Sequence, residues 1–437
     1  MSLDDKLKLL KRERDARGRS RKVENVWKKI DGSDESLSIK EKLEKLITLT
    51  GRKPASRAGE PAACAERGRP EPVRFLENPY RLAVRYGEVR IGEGLEIPGK
   101  SLAFLSHDGA FEGLSLDSAL FLDLETTGLA GGTGTVPFLV GMGYYRDGQF
   151  KIAQYFLGEM ADEDSMIRDL SRFLEGMEFK SVVTYNGKAF DIPLLETRFA
   201  LHRRKFPLAG LPHLDFLFAA RQLWKHRYES CRLFHLAREI VRAERDEDIP
   251  GAEIPMRYFQ FIRTGDESLI EPIIYHNQED ILSLLGVVIA GAGLLADSDR
   301  ADGPEPDAMD LFGAAKVLEK TGDRTRSAHL FRRALDGRLT RRVEVEAKKK
   351  LAAHFKRARD WEKAAALWEE ISSAEPLTCL RELSMYHEHE RKDLAEAIAA
   401  AERGLELAAG VSPSHETDFS HRLRRLRARL PKAKDDR

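Results

Sequence analysis

Apolar residues follow three different rhythms along this chain, and each predicts a different kind of element. In SALFLDLETTG (118–128) an unbroken apolar run ends in polar residues, which predicts a buried strand emerging from the core. TVPFLVGMGYYRDGQFKIAQYFL (135–157) predicts two strands joined by the turn Arg146-Asp147-Gly148, so 118–157 reads as a meander. A helix over 164–175, a strand over 181–186 (SVVTYN) and a helix over 191–203 follow, an α/β pattern. Upstream, from Val73 to about Leu105, short apolar runs broken by Gly and Pro predict a few more strands. Downstream, helical segments continue to about Leu295.

Beyond residue 309 the pattern is helical and repetitive. GDRTRSAHLFRRAL (322–335), RDWEKAAALWEEI (359–371) and KDLAEAIAAAERGL (392–405) align on Asp323, Asp360 and Asp393, at offsets of 37 and 33 residues. In each copy a turn with Asp precedes an Ala-rich helix, close to the helix-turn-helix period of tetratricopeptide repeats. A plain helical bundle with similar helix lengths is the simpler alternative.

Length and charge refine this picture. A chain of 437 residues predicts two or three compact units. GRKPASRAGEPAACAERGRPEP (51–72) and the Asp/Gly/Pro-rich 297–308 read as linkers. The expected organisation is a basic leader and linker (1–72), an α/β unit (73–296), a linker (297–308) and helical repeats with a basic tail (309–437). The 72 Lys+Arg equal the 72 Asp+Glu, so net charge alone points to no polyanionic partner. The ends differ from the middle. Residues 1–30 carry eleven basic against five acidic side chains and 420–437 eight against two, about +6 each, leaving −12 between them. Such ends suit either nucleic-acid arms or solvated charged helices. Three scattered cysteines, Cys64, Cys231 and Cys379, exclude a disulfide framework or a zinc site. The absence of a membrane-length apolar run and of a secretory leader leads to the expectation of a cytoplasmic protein without a membrane partner.

The candidate chemistry lies in carboxylates. Asp123 and Glu125, two apart at the end of a strand, share one face of it. They repel unless a cation lies between them or one stays protonated. A surface Asp-x-Glu pair is the bland alternative, but the preceding apolar run argues for the C-terminal end of a central strand, where α/β sheets place ligands. VVTYNGKAFDIPLL (182–195) carries a strand into Tyr185-Asn186-Gly187 and a helix opening near Asp191, which by itself reads first as a helix cap. In YHNQEDILSLL (275–285), His276 and Asp280 are four apart and share a helical face, though Asp280 could also be a surface residue.

Together these segments resemble the three exonuclease motifs of the DEDD family. They are more similar still to the YprB-type ribonuclease H-like domain, through FLDLETTGLAGGTGT (121–135), HLDFLFAARQLW (213–224), IPGAEIPMRYFQFIRTGD (249–266) and YHNQED (275–280), over roughly 75–295. The resemblance implies a mixed sheet with flanking helices followed by an all-α tetratricopeptide-like domain. It also implies two divalent cations, Mg2+ or Mn2+: Asp123 bridging them, Glu125 and Asp280 holding the first, and Asp191 orienting the second through water. Oxygen ligands suit these ions, and a pair about 3.5–4 Å apart cleaves phosphodiesters by activating water and stabilising the departing oxygen.

The family's base is Tyr four positions, or His five positions, before the last Asp. Here Tyr275 and His276 exchange those places, and histidine, as a residue type that titrates near neutrality, is the better base chemically, which favours His276. Asn186 could hydrogen-bond a phosphate or base. Phe190 reads first as a core aromatic and alternatively as a platform for a terminal base. Thr126 is a further substrate-contact candidate beside Glu125. Asp215 reads as a supporting or structural acid. GLAGGTGT (128–135) lacks the ending of a phosphate loop and reads as a close turn beside the centre.

The expected function is therefore metal-dependent hydrolysis of DNA or RNA, from the 3′ end by resemblance. The alternatives are a nucleic-acid-binding or scaffold protein with a degenerate site, or a protein whose repeats recruit a partner.

Overall fold

The computed structural model describes residues 72–128, 134–245, 248–296 and 306–429. The basic leader 1–30, all but the last residue of the first linker, most of the second linker, most of the glycine-rich turn and the end of the basic tail lie outside the described residues.

The mixed sheet with flanking helices expected above is present. Its strands are β1 (Val73–Arg81), β4 (Ala119–Thr126), β5 (Pro137–Arg146), β6 (Gln149–Leu157), β7 (Ser181–Thr184) and β8 (His213–Asp215), and a hairpin apart from it holds β2 (Arg85–Tyr86) and β3 (Val89–Arg90). The sheet order is β1-β6-β5-β4-β7-β8. From β1 to β4 the neighbours are antiparallel, whereas β4, β7 and β8 run parallel. The β5–β6 turn places Asp147 and Gly148 at positive φ, 53° and 70°, as a tight Asp-Gly hairpin requires.

The helices beside the sheet are α1 (Gly99–Ser106), α2 (Glu163–Met177), α3 (Asp191–Leu201), α4 (Phe216–Trp224), the short α5 (Leu233–Leu236), α6 (Ile254–Thr264) and the long α7 (Glu271–Gly293). Strand β4 is buried on both faces, which explains its unbroken apolar run. Ala119 and Phe121 join one core with Ile281, Leu284 and Val288 of α7, while Leu120, Leu122 and Leu124 join the other.

Two expectations are corrected. Of the strands expected over 73–105, only β1 joins the sheet; 91–96 is a 3-10 turn and 99–106 is α1. The glycines there serve close approach rather than strand ends: a Cβ on Gly94 would lie 2.1 Å from the Tyr145 hydroxyl. Conversely, β8 falls within a stretch that reads as helical, because three residues are too few to show alternation.

The C-terminal region is all-helical. It comprises α8 (Ala308–Thr321), α9 (Arg324–Leu335), α10 (Arg341–Arg357), α11 (Trp361–Ile371), α12 (Pro376–Tyr386), α13 (Leu394–Ala408) and α14 (Pro413–Arg427). The recurring aspartates have one physical role. Asp323, Asp360 and Asp393 are the N-caps of α9, α11 and α13, and each carboxylate accepts from the backbone N–H three residues on.

The array is built onto the sheet unit. One apolar core runs from Phe121 through Trp224 to Phe312 and Phe331, and Arg227 after α4 pairs with Asp310 and Asp307 of the array at 2.5 and 3.2 Å. No described helix is long and apolar enough to cross a membrane.

Gly313 of α8 lies directly against the end of α4, where an added Cβ would sit 2.0 Å from the Leu223 carbonyl oxygen. Gly313→Ala is expected to lower stability by about 1–3 kcal/mol, as overpacking of a tight contact does. Urea unfolding measures this, and an unchanged midpoint would show that the helices are not in contact there.

Candidate metal centre

The parallel pairing of β4 and β7 brings their C-terminal ends to one edge of the sheet, and α7 crosses over it. Strand β4 delivers Asp123 and Glu125 there, on the face it shares with Phe121. A register irregularity against β5 follows Glu125, turning the strand end away from the ladder. After β7 the chain turns through Asn186, at φ 70°, and enters α3 at Asp191. Asp215 holds that turn: its buried carboxylate accepts from the backbone N–H groups of Asn186 (2.7 Å), Lys188 (3.1 Å) and Leu217 (3.2 Å). It is thus a structural acid, and the Asn186 contribution to it is backbone.

Asp191 is not a helix cap. It is the first residue of α3, and the N-cap position belongs to Phe190. Phe190 is not a core aromatic either, being 55% exposed. Beside it lies a cavity of about 340 Å³ lined by Thr126, Thr135, Phe190, Asp191, Leu194 and Thr197, among others. The Thr126 hydroxyl donates to the Gly128 carbonyl at 2.9 Å.

From α7, His276, Asn277 and Asp280 reach the strand end. Asn277 donates to the Asp123 carboxylate at 2.8 Å, and its own carbonyl accepts from Gln154 of β6, also at 2.8 Å. That approach passes over Gly141, opposite Asp123 on β5, where a Cβ would fall 2.0 Å from the Asn277 Oδ1. His276 Nε2 lies 3.5 Å from Asp280 and 3.9 Å from Glu125. Tyr275 lies close enough to Tyr80 to add, after burial and the Glu279 carboxylate, to the rise of the Tyr80 hydroxyl.

The loop after α5 adds two groups that sequence reading missed. Arg245, its side chain 1% exposed, pairs with Asp280 at 2.5 Å and Asp248 at 3.0 Å and donates to Ser283 and to the Glu279 carbonyl at 2.7 and 3.1 Å. Asp248 accepts from His276 Nδ1 at 2.6 Å.

The electrostatics of the cluster are those of crowded, dry carboxylates. Burial pushes Asp123 well above the usual carboxylate range, and Asp280, Glu125 and Asp191 add to the rise against the Asn277 hydrogen bond. Glu125 is raised by burial first and then by Asp280, Asp191 and Asp248. Asp191 is pushed up to about 7, chiefly by burial. Asp248 runs the other way: burial would raise it, but the bonds from His276 and Arg245 outweigh that and hold it low.

Among the described residues, no three His, Cys, Asp or Glu side chains stand ready to chelate one ion as placed. The hydrogen bonds give the reason, since Asp280 is turned onto Arg245 and Asp123 onto Asn277. The donor set itself, four partly buried carboxylates with an imidazole beside them, suits a hard divalent cation, which would relieve the repulsion.

Comparison with known proteins agrees with the fold. Residues 120–290 match the family described as RNase_H superfamily. Over 362 residues, 81% of this chain and 85% of the other, the sequence is 30% identical to YprB of Bacillus subtilis (strain 168), a protein described as uncharacterized.

A raised carboxylate pKa gives a definite sign to the pH dependence of stability. Folded Asp191 keeps its proton up to about 7, where the unfolded chain has already lost it. Its contribution is therefore complete at low pH and is lost as pH rises through that value. With chelator present, the melting temperature should fall between about pH 4 and 7, and less steeply in Asp191→Asn. His213 and His226, lowered to about 4 chiefly by burial, act oppositely, so the difference between wild type and variant is the quantity to read by thermal denaturation. Parallel curves would show that Asp191 is not strained by its surroundings.

Proposed function

The chain belongs to the RNase H superfamily and, within it, to the YprB-type proteins, and on that premise we propose that it is a divalent-metal-dependent nuclease, hydrolysing nucleic-acid phosphodiesters from a 3′ end. The observation that carries this reading is the convergence of Asp123, Glu125, Asp191 and Asp280, from three separate elements, into one partly buried group whose repulsion a cation would relieve. Asp123, Glu125, Asp191 and Asp280 would hold two ions, Mg2+ or Mn2+. Such ions, when bound, activate a water molecule and stabilise the departing oxygen.

The chain's own side chains supply the rest. His276, with Nε2 toward the carboxylates, is the group to take a proton from the attacking water. The cavity between Thr126, Phe190 and Asp191 is the place for the terminal nucleotide, with the exposed Phe190 ring offering its face to the base. Asn186, on the turn that Asp215 braces, would donate to a phosphate. Tyr275, a neighbour of Tyr80, is a packing residue in this scheme. The tetratricopeptide-like helices would hold a protein partner or lead the strand toward the centre.

One observation favours a second reading. Arg245 already neutralises Asp280, so the centre could bind nucleic acid without metal and without cleavage, as a scaffold.

A nuclease-free preparation, assayed on end-labelled single- and double-stranded DNA and RNA with Mg2+, Mn2+ or EDTA, separates the two. Metal-dependent cleavage is expected, abolished in Asp123→Asn and Asp280→Asn without loss of fold. Binding without cleavage under every metal condition would establish the scaffold instead. His276→Ala is expected to lose on the order of 10²–10⁴-fold, the usual worth of a positioned base. Tyr275→Phe should lose little, and the reverse ranking would move the base to Tyr275.

A further inference from the structure

His276 is held from both sides. Its Nδ1 lies 2.6 Å from Asp248, and its Nε2 faces Asp280 at 3.5 Å and Glu125 at 3.9 Å. Asp248 is fixed in turn, because its second carboxylate oxygen accepts from Arg245 at 3.0 Å. Arg245 cannot move freely. Its side chain is 1% exposed, bonded to Asp280 and Ser283, and stacked 5.5 Å from the Phe234 ring. A guanidinium only donates, so the Asp248 oxygen facing it must accept. A carboxylate has no proton to give at the other oxygen, so His276 Nδ1 must carry the hydrogen of that bond.

We propose that Asp248, anchored by Arg245, is a positioning residue that keeps the neutral His276 ring protonated on Nδ1, so that the Nε2 lone pair is presented to the carboxylate centre. The proposal rests on the nuclease reading for its consequence, since only a neutral Nε2 can accept a proton from water or bind a cation. Its structural content does not depend on cleavage. The two groups lie 28 residues apart in sequence, on a loop and on α7, so the loop is part of the centre rather than a connection past it.

Asp248→Asn gives the sharp test, because it keeps shape while reversing the pattern. The amide oxygen must face the permanent cation Arg245, which turns the amide NH2 toward His276. Nδ1 must then accept, and the ring proton moves to Nε2.

The experiment is nitrogen NMR of the full chain labelled with 15N-histidine, in EDTA and at alkaline pH, where an imidazole is neutral. The His276 signals are identified by their loss in His276→Gln. Wild type should show the Nδ1–H tautomer and Asp248→Asn the Nε2–H tautomer, with Asp248→Ala, a second variant, showing a mixture. Metal-dependent cleavage by Asp248→Asn should fall about 10–100-fold, the range for residues that orient a metal-site histidine. A wild-type ring protonated on Nε2, or the same tautomer in all three proteins, overturns the proposal. A switched tautomer with undiminished cleavage also overturns it, because the orientation would then have no function. If wild type cleaves no nucleic acid, the nuclease reading fails, and the spectra still decide whether Asp248 sets the ring.

Discussion

Like charges crowded at a dry strand end are the constraint on which this structure turns. Asp123 and Glu125 leave β4 on one face, Asp191 enters from α3 and Asp280 from α7, and burial first and neighbouring charge second raise three of these carboxylates. Nothing in the cost of folding favours such a group, since each additional charge raises the penalty on its neighbours. The surroundings answer with fixed donors. Asn277 holds Asp123, Arg245 holds Asp280, and the backbone N–H groups of Leu124 and of Asp191 itself face the Asp191 carboxylate.

Helix α7 joins stability to function. Its N-terminal turns carry His276, Asn277 and Asp280, while its later turns bury Ile281, Leu284, Leu285 and Val288 in the core that continues into the helical array. The polar residues are therefore set by the packing of the apolar ones. Gly141 and Gln154 complete the coupling, the first by leaving room for Asn277 and the second by fixing its amide. A change in how the array sits on α4 would be transmitted along one packed core toward the helix that carries the histidine.

Much of this was legible in the sequence where local pattern and local chemistry coincide. The unbroken run before Asp123, the Asp147-Gly148 turn and the recurring aspartates before the repeat helices each have one local cause, and each is found as that cause demands. The segment from 73 to 105 misleads because its glycines answer to distant partners such as Tyr145. The site divides in the same way. The four carboxylates stand in motifs, but Arg245 and Asp248 lie in the mixed-charge run RAERDED, which carries no motif, and their partners His276 and Asp280 are remote in sequence. Asn277 and Gln154 did carry a signal. Each is a polar residue in an otherwise apolar stripe, Ile273-Asn277-Ile281 on the helix and IAQYFL on the strand.

The central claim is that these carboxylates exist to hold divalent cations, and anomalous diffraction from crystals grown with Mn2+ tests it most directly. The account predicts anomalous peaks bounded by Asp123, Glu125 and Asp280, with Asp280 turned from Arg245 toward the metal. Crystals that bind Mn2+ nowhere in this cluster, with the Arg245–Asp280 and Asn277–Asp123 bonds intact at saturating Mn2+, would contradict it.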